Sequence, residues 1–275
     1  VTRRAALVAG ASAFAAARRA LADERLARRC ATVRNYRGTP VSLRGGPSAA
    51  AGVLTGSLAG AIARPSDVAV AAAGSVATAM AAAAGWYDDT RAEQTVQAKG
   101  LRGHLGALRA GTVTTGAVKL AVLMAGGHAS ARVLGRGRVD ALLSGALVAG
   151  TANLVNLLDL RPGRAGKVTV VVGSAVAALG GHGAGVAGAA AGAALGGLRP
   201  DLAEETMLGD TGANALGAAL GVALAAGRFR VLRLAALGAV TALTVASERV
   251  SFSRVIDASP ALRRADAWGR RAPVA

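Results

Sequence analysis

Residues 67–89 read DVAVAAAGSVATAMAAAAGWYDD, an apolar run of twenty residues from Asp67 to Trp86 followed by two adjacent aspartates. About twenty residues with few charges is the length of a membrane-crossing helix. Asp88 and Asp89 then fall at the membrane boundary, where an ionised carboxylate is costly unless a metal, a cation or water compensates it. Two neighbouring carboxylates repel each other, so a cation is the natural third party. One reading of the pair is a divalent metal and a phosphorylated substrate handled at a bilayer surface. The other is a solvated helix terminus with two capping acids.

The rest of the composition supports the membrane part of that reading. Hydrophobic residues make up 53% and charged ones 17%, with mean hydropathy +0.43, so the apolar runs outnumber what one soluble core needs. Thirty-eight glycines and many alanines suit close helix–helix packing, because small residues let backbones approach. A biased genome composition would leave the same mark. Net charge is +17, which in a soluble chain would suggest nucleic acid. Here the arginines lie between apolar runs and lack the aromatic interleaving of a single-strand binder. Membrane orientation and anionic lipid account for them, and no nucleic-acid partner is expected. Cys30 is the only cysteine, so an intrachain disulfide and a cysteine metal cluster are both excluded.

The apolar runs predict an all-α fold, a polytopic transmembrane helical bundle of about nine or ten spans. The candidate spans are 5–22, 47–63, 67–86, 113–134, 140–158, 168–181, 183–198, 213–227 and 230–247. The first has basic residues ahead of an apolar stretch, as a signal peptide has, but we read it as a span because many more follow. A Gly/His hinge at 181–184 separates two of the shorter runs. One integral membrane domain accounts for residues 1–275.

The loops fall into two sets. Loops 23–46, 87–112, 159–167 and 199–212 and the tail 248–275 are long and hold 20 Lys and Arg. The connections 64–66, 135–139, 181–184 and 228–229 are short and hold 4. Positive charge marks the cytoplasmic side, which puts the long loops and the C-terminus inside and the N-terminus outside.

The polar motifs lie in the long loops or at their edges. Asn153, Asn156 and Asp159 are spaced by three, which sets them on one helical face ending at the cytoplasmic boundary. Amides in an apolar span bind substrate or hydrogen-bond a neighbouring helix. Asp210 lies in LGDTGANALG, where flanking glycines permit a tight turn and the start of the next helix can face an anion. Asp210 would hold a hard cation beside that anion, or else serve as an N-cap. Lys119 lies inside a span, where it would contact a pyrophosphate or pair with an acid. Lys99, Arg102, His104 and Arg109 lie in a loop that would cover a nucleotide or stay a solvated basic loop. His104 lacks a nearby ligand partner, and His128 and His182 read as structural.

Three of these elements together, GWYDD, NLVNLLD and GDTGANALG, resemble the polyprenyl-phosphate N-acetylhexosamine-1-phosphate transferase family. That family includes phospho-N-acetylmuramoyl-pentapeptide transferases and UDP-GlcNAc:undecaprenyl-phosphate transferases. The resemblance runs from Arg34 to Leu243 and takes in an aspartate pair after a transmembrane helix, an Asn-x-x-Asn-x-x-Asp and a Gly-Asp-x-Gly before a helix. It implies transfer of a sugar-1-phosphate from a UDP-sugar to a polyprenyl phosphate, with release of UMP and with Mg2+. By position it implies metal binding at Asp210 and Asp88. It gives Asp88 and Asp89 the lipid phosphate, and Asn153, Asn156 and Asp159 the nucleotide and catalysis.

The chain departs from the family pattern at two places. Leu160 stands where the family has Gly, and the tail 248–275 has no histidine where the family carries a histidine-rich loop tied to sugar recognition.

The reading that follows is a magnesium-dependent transferase of the cell membrane, with its site on the cytoplasmic face. Catalysis falls to Asp88, Asp89 and Asp159, and substrate binding to Asn153, Asn156, Lys99, Lys119 and Arg109. Two rivals stand beside it. A catalytically silent relative would bind lipid phosphate or scaffold envelope assembly, as the missing histidines suggest. A transporter would use intramembrane Lys and Asn along a path, but here the polar groups gather on one face. Small-residue helix faces would also suit a homodimer, although no specific motif marks one.

Overall fold

The computed structural model describes residues 2–22, 30, 32–91 and 100–271, with the backbone alone at 100–102, 104 and 105. Nine long helices among these residues coincide with the nine expected runs. They are α1 (Thr2–Ala20), α2 (Gly45–Ala63), α3 (Val68–Arg91), α5 (Thr115–Val133), α6 (Arg138–Leu158), α7 (Arg164–Leu179), α8 (Ala184–Leu202), α9 (Gly209–Ala225) and α10 (Arg230–Ser247). Short helices fill two of the long connections: α4 (Gly100–Arg109), then α11 (Phe252–Ala258) and α12 (Pro260–Ala267).

The structure is nearly all-α. The exception lies in loop 23–46, where β1 (Thr32–Arg34) pairs antiparallel with β2 (Pro40–Ser42). The Asn35 side chain accepts the Arg37 and Thr39 N–H groups, and Gly38 takes a positive φ, so the turn closes locally. The hairpin docks on the segment before α9 through the Met207 N–H, which donates to the Ser42 carbonyl.

Four helical stretches are long and apolar enough to cross a membrane: Gly45–Ala63, Pro65–Arg91, Arg138–Leu158 and Arg230–Ser247. Local chemistry sets the helix boundaries. Pro65 opens a 3-10 turn that leads into α3, and the Thr114 hydroxyl accepts the Ala117 N–H at the start of α5. Gly180 and Gly181, both at positive φ, break the chain between α7 and α8 at the expected hinge. Short turns join α2 to α3, α5 to α6 and α7 to α8, and the partners pack side by side as antiparallel neighbours. One end of the bundle therefore carries short turns. The other carries the long connections.

α9 is the axis of the bundle. It packs on α2, α3, α6 and α8, and all its residues except Asp210 and Leu224 are buried. Gly217 and Gly221, one turn apart, lie against the α6 backbone at Thr151–Ala152 and Val148. A Cβ at either position would overlap that backbone, so the glycines set how closely α6 and α9 approach. Leu147, Val148, Leu216 and Leu220 fill the core beside this seam.

One boundary differs from the sequence reading. Asp88 and Asp89 are not in a loop, because α3 continues through them to Arg91. Asp159 is the residue just past α6, where the sequence reading begins the 159–167 loop.

Candidate functional site at the start of α9

Five of the expected residues meet around the first turn of α9. Asp88, on α3, accepts from Lys119 Nζ of α5 at 2.7 Å, and the same ammonium also contacts Asp210 of α9. Lys119 therefore bridges two carboxylates from helices that are distant in sequence. All three side chains are largely withdrawn from solvent, at 14% exposure for Lys119, 17% for Asp88 and 26% for Asp210.

Asp89 points elsewhere. Its Oδ1 accepts the Asp210 N–H at 3.0 Å, and its Oδ2 accepts the Thr211 N–H at 2.9 Å and the Thr211 hydroxyl at 2.6 Å. The residue that precedes α9, Leu208, has no side chain able to cap it. Asp89 supplies the cap from another helix, placing a negative charge at the positive end of the α9 dipole. Sequence reading gives Asp88 and Asp89 one shared role, whereas the structure gives them different partners. It also moves the capping role away from Asp210.

The backbone geometry depends on two glycines. Gly209 has φ +59°, and an added Cβ would press on the Asp89 carboxylate. Gly85 lies one turn before Asp89, where a Cβ would overlap the Asp210 carbonyl. Only glycine at 85 lets α3 come close enough for Asp89 to reach the α9 N–H groups.

Asp159 closes the other flank. It is 6% exposed, and its Oδ2 has no hydrogen-bond partner among the described residues. Burial pushes its carboxyl well above the usual carboxylate range, and the charges of Asp201, Asp210 and Asp89 push it further. The Gly209 N–H offsets this only in part. Asp159 also lines a cavity of about 320 Å³ enclosed by the hairpin, the α6–α7 connection and the end of α8. The Arg161 guanidinium sits over the Tyr36 ring in the cavity wall, 4.2 Å from its centroid. Asp201 holds the wall by accepting the Gly163 N–H at 3.0 Å.

The other expected residues lie apart from this cluster. Asn153 and Asn156 are half-buried on α6, and neither amide has a hydrogen-bond partner among the described residues. Arg109 is exposed at the end of α4. Lys99 lies outside the described residues. Sequence reading missed Tyr36, Arg161, Asp201 and Thr211. Thr211 directly follows Asp210, so its place in the motif was the one signal available for it. The other three carry no local pattern.

The described residues contain no group of three or more His, Cys, Asp or Glu side chains arranged to hold a metal. Asp88 and Asp210 do converge on one cationic group, as two hard oxygen donors. Comparison with protein-family models and with curated proteins finds no match to the chain.

Proposed function

We propose that this protein is a polyprenyl-phosphate sugar-1-phosphate transferase in cell-envelope glycan synthesis, embedded in the cell membrane by nine or ten spans. Its site and C-terminus would lie on the cytoplasmic side. The observation that carries the reading is the meeting of Asp88 and Asp210 on Lys119 at the start of α9. Phosphoryl transfer asks for charge neutralisation and alignment more than for a covalent protein intermediate. An ammonium and two carboxylates able to share a divalent cation are suitable parts for that work.

In the proposed reaction an oxygen of the lipid phosphate attacks the β-phosphorus of a UDP-sugar. The bond from that phosphorus to the bridging oxygen breaks, and UMP leaves with the electron pair. Asp88 and Asp210 fit Mg2+, which takes one or two carboxylates and completes its shell with water and phosphate oxygens. When bound, it would neutralise the phosphate charge. Lys119 steadies a phosphate oxygen, and Asp89 keeps the α9 N-terminus in register. The cavity beside Asp159 would take the nucleotide; Asn153 and Asn156 do not line it.

The test is UMP release from a panel of UDP-sugars by purified protein with polyprenyl phosphate, with and without Mg2+. Magnesium-dependent release that Asp210→Asn abolishes, in a variant that still folds, is the expected result. Full activity in Asp210→Asn removes the metal assignment. No release with any donor, from folded protein, removes the transferase reading. That outcome favours a lipid-phosphate binder, in keeping with a tail free of histidine.

A further inference from the structure

Beyond α10 the chain does not trail away. Arg164, 4% exposed at the start of α7, donates from Nε and Nη2 to both Asp266 oxygens at 2.8 and 2.9 Å, and from Nη1 to the Ser253 hydroxyl at 3.0 Å. Lys167 donates to the Asp266 carbonyl at 2.7 Å. Arg270 donates to the Pro162 carbonyl at 2.8 Å and to Asp266 at 2.7 Å. A bidentate guanidinium–carboxylate pair shielded from water fixes geometry, so α11 and α12 are held in one orientation.

That orientation turns apolar side chains outward. Leu262 is 49% exposed and Trp268 69%. Both border a cleft of about 590 Å³ whose facing wall is Val168, Val171 and Val172 of α7. Val171 is itself 67% exposed, so the apolar surface runs from the outer face of α7 onto the tail without a break. Arg249, Arg254, Arg263, Arg264 and Arg271 of the same tail are exposed. Against these arginines the tail has three acids, Glu248, Asp257 and Asp266, and the clamp occupies Asp266.

A rigid, arginine-rich element that shows Trp and Leu beside an open apolar cleft is mismatched to water. It matches a bilayer interface, where Trp sits at headgroup level and Arg meets anionic headgroups. An acidic peptide would satisfy the arginines but would leave the cleft and the α7 face uncovered.

We propose that residues 249–271 lie in the plane of an anionic leaflet, with Leu262 and Trp268 at the headgroup–acyl boundary and a phospholipid acyl chain in the cleft against α7. The inference rests on the membrane reading of the helices and is independent of the transferase reaction. Through Arg164 and Arg270 the same contact braces the Pro162–Arg164 segment just past Asp159.

The chain has two tryptophans, Trp86 and Trp268, so the fluorescence of wild type minus that of Trp268→Phe isolates Trp268. Trp268 packs loosely enough for this variant to fold. The full chain is placed in nanodiscs of phosphatidylcholine, with and without phosphatidylglycerol, using lipids brominated at shallow or deep positions. The expected result is blue-shifted Trp268 emission quenched most by shallow bromine and more strongly with phosphatidylglycerol. In Arg263→Gln/Arg264→Gln that phosphatidylglycerol increment should disappear. Water-like emission without quenching overturns the proposal. So does quenching that ignores phosphatidylglycerol, or quenching confined to deep bromine. Loss of UMP release in the same samples leaves the quenching unchanged, so the two ideas fail separately.

Discussion

The two ends of the bundle treat charge differently. At the short-turn end each acid has two basic partners. Asp67 meets His182 Nδ1 at 2.8 Å and Arg64 at 3.7 Å. Asp140 accepts from Arg233 at 2.7 and 2.9 Å, with Arg136 at 3.7 Å. Arg136 and Arg233 also donate to carbonyls at the end of α9 and just past it, so the cations close the turn as well as the pair. At the opposite end Asp88, Asp89, Asp159 and Asp210 converge. Among the described residues Lys119 is the only base within ion-pair distance of them. Backbone N–H groups of α9 absorb part of the remaining negative charge. The lesson is that helix-end acids with at least as many bases act as fasteners, whereas an excess of acids around one ammonium leaves charge for a further cation to compensate.

The largest effect should come from separating the two neighbouring acids. Asp89→Ala strips three hydrogen bonds from the α9 N-terminus and leaves buried donors unmet. That should cost about 3–5 kcal/mol in thermal unfolding in detergent. Asp88→Asn should cost less than about 2 kcal/mol, because Lys119 keeps Asp210, yet abolish magnesium-dependent UMP release. Equal loss of stability in both variants would erase the distinction between cap and site.

At the other end, Asp140→Asn leaves Arg233, only 7% exposed, without its carboxylate. A loss of about 2 kcal/mol is expected, with UMP release per folded molecule unchanged. A fall in turnover would show that the two ends are coupled through α6 or α9.

The smallest effect concerns pH. The Asp159 carboxyl is raised above its unfolded value, so the native state holds that proton more tightly. Its contribution to stability is present at low pH and is lost as pH rises from about 4, the ordinary carboxylate value, through its raised folded value. Asp159→Asn should flatten that part of the stability–pH profile and match or exceed wild type by about 1 kcal/mol near neutrality. A variant whose profile still falls over the same range would move the titration to another group.

Much of the fold was legible because its signals are local. Runs of Ala, Val, Leu and Gly interrupted by Pro65, Gly180–Gly181 and the Arg-bearing turns place every long helix within a few residues. The hairpin at 32–42 was not legible, since its strands have three residues each and its turn reads as ordinary loop. The clamp between Arg164 and Asp266 joins residues 102 positions apart and leaves no pattern in either segment. The same holds for Arg161 over Tyr36.

For this chain, then, sequence alone determined which stretches are helical and that the aspartates gather at one end, because helix length and loop alternation follow from nearby residues. It could not determine the separate roles of Asp88 and Asp89. Adjacent helical residues point about 100° apart, so each faces whatever the packing brings to that side. Only tertiary structure decided that Asp89 meets the N-terminus of α9 and Asp88 meets Lys119. The close α3–α9 approach at Gly85 and the central burial of α9 are the physical reason.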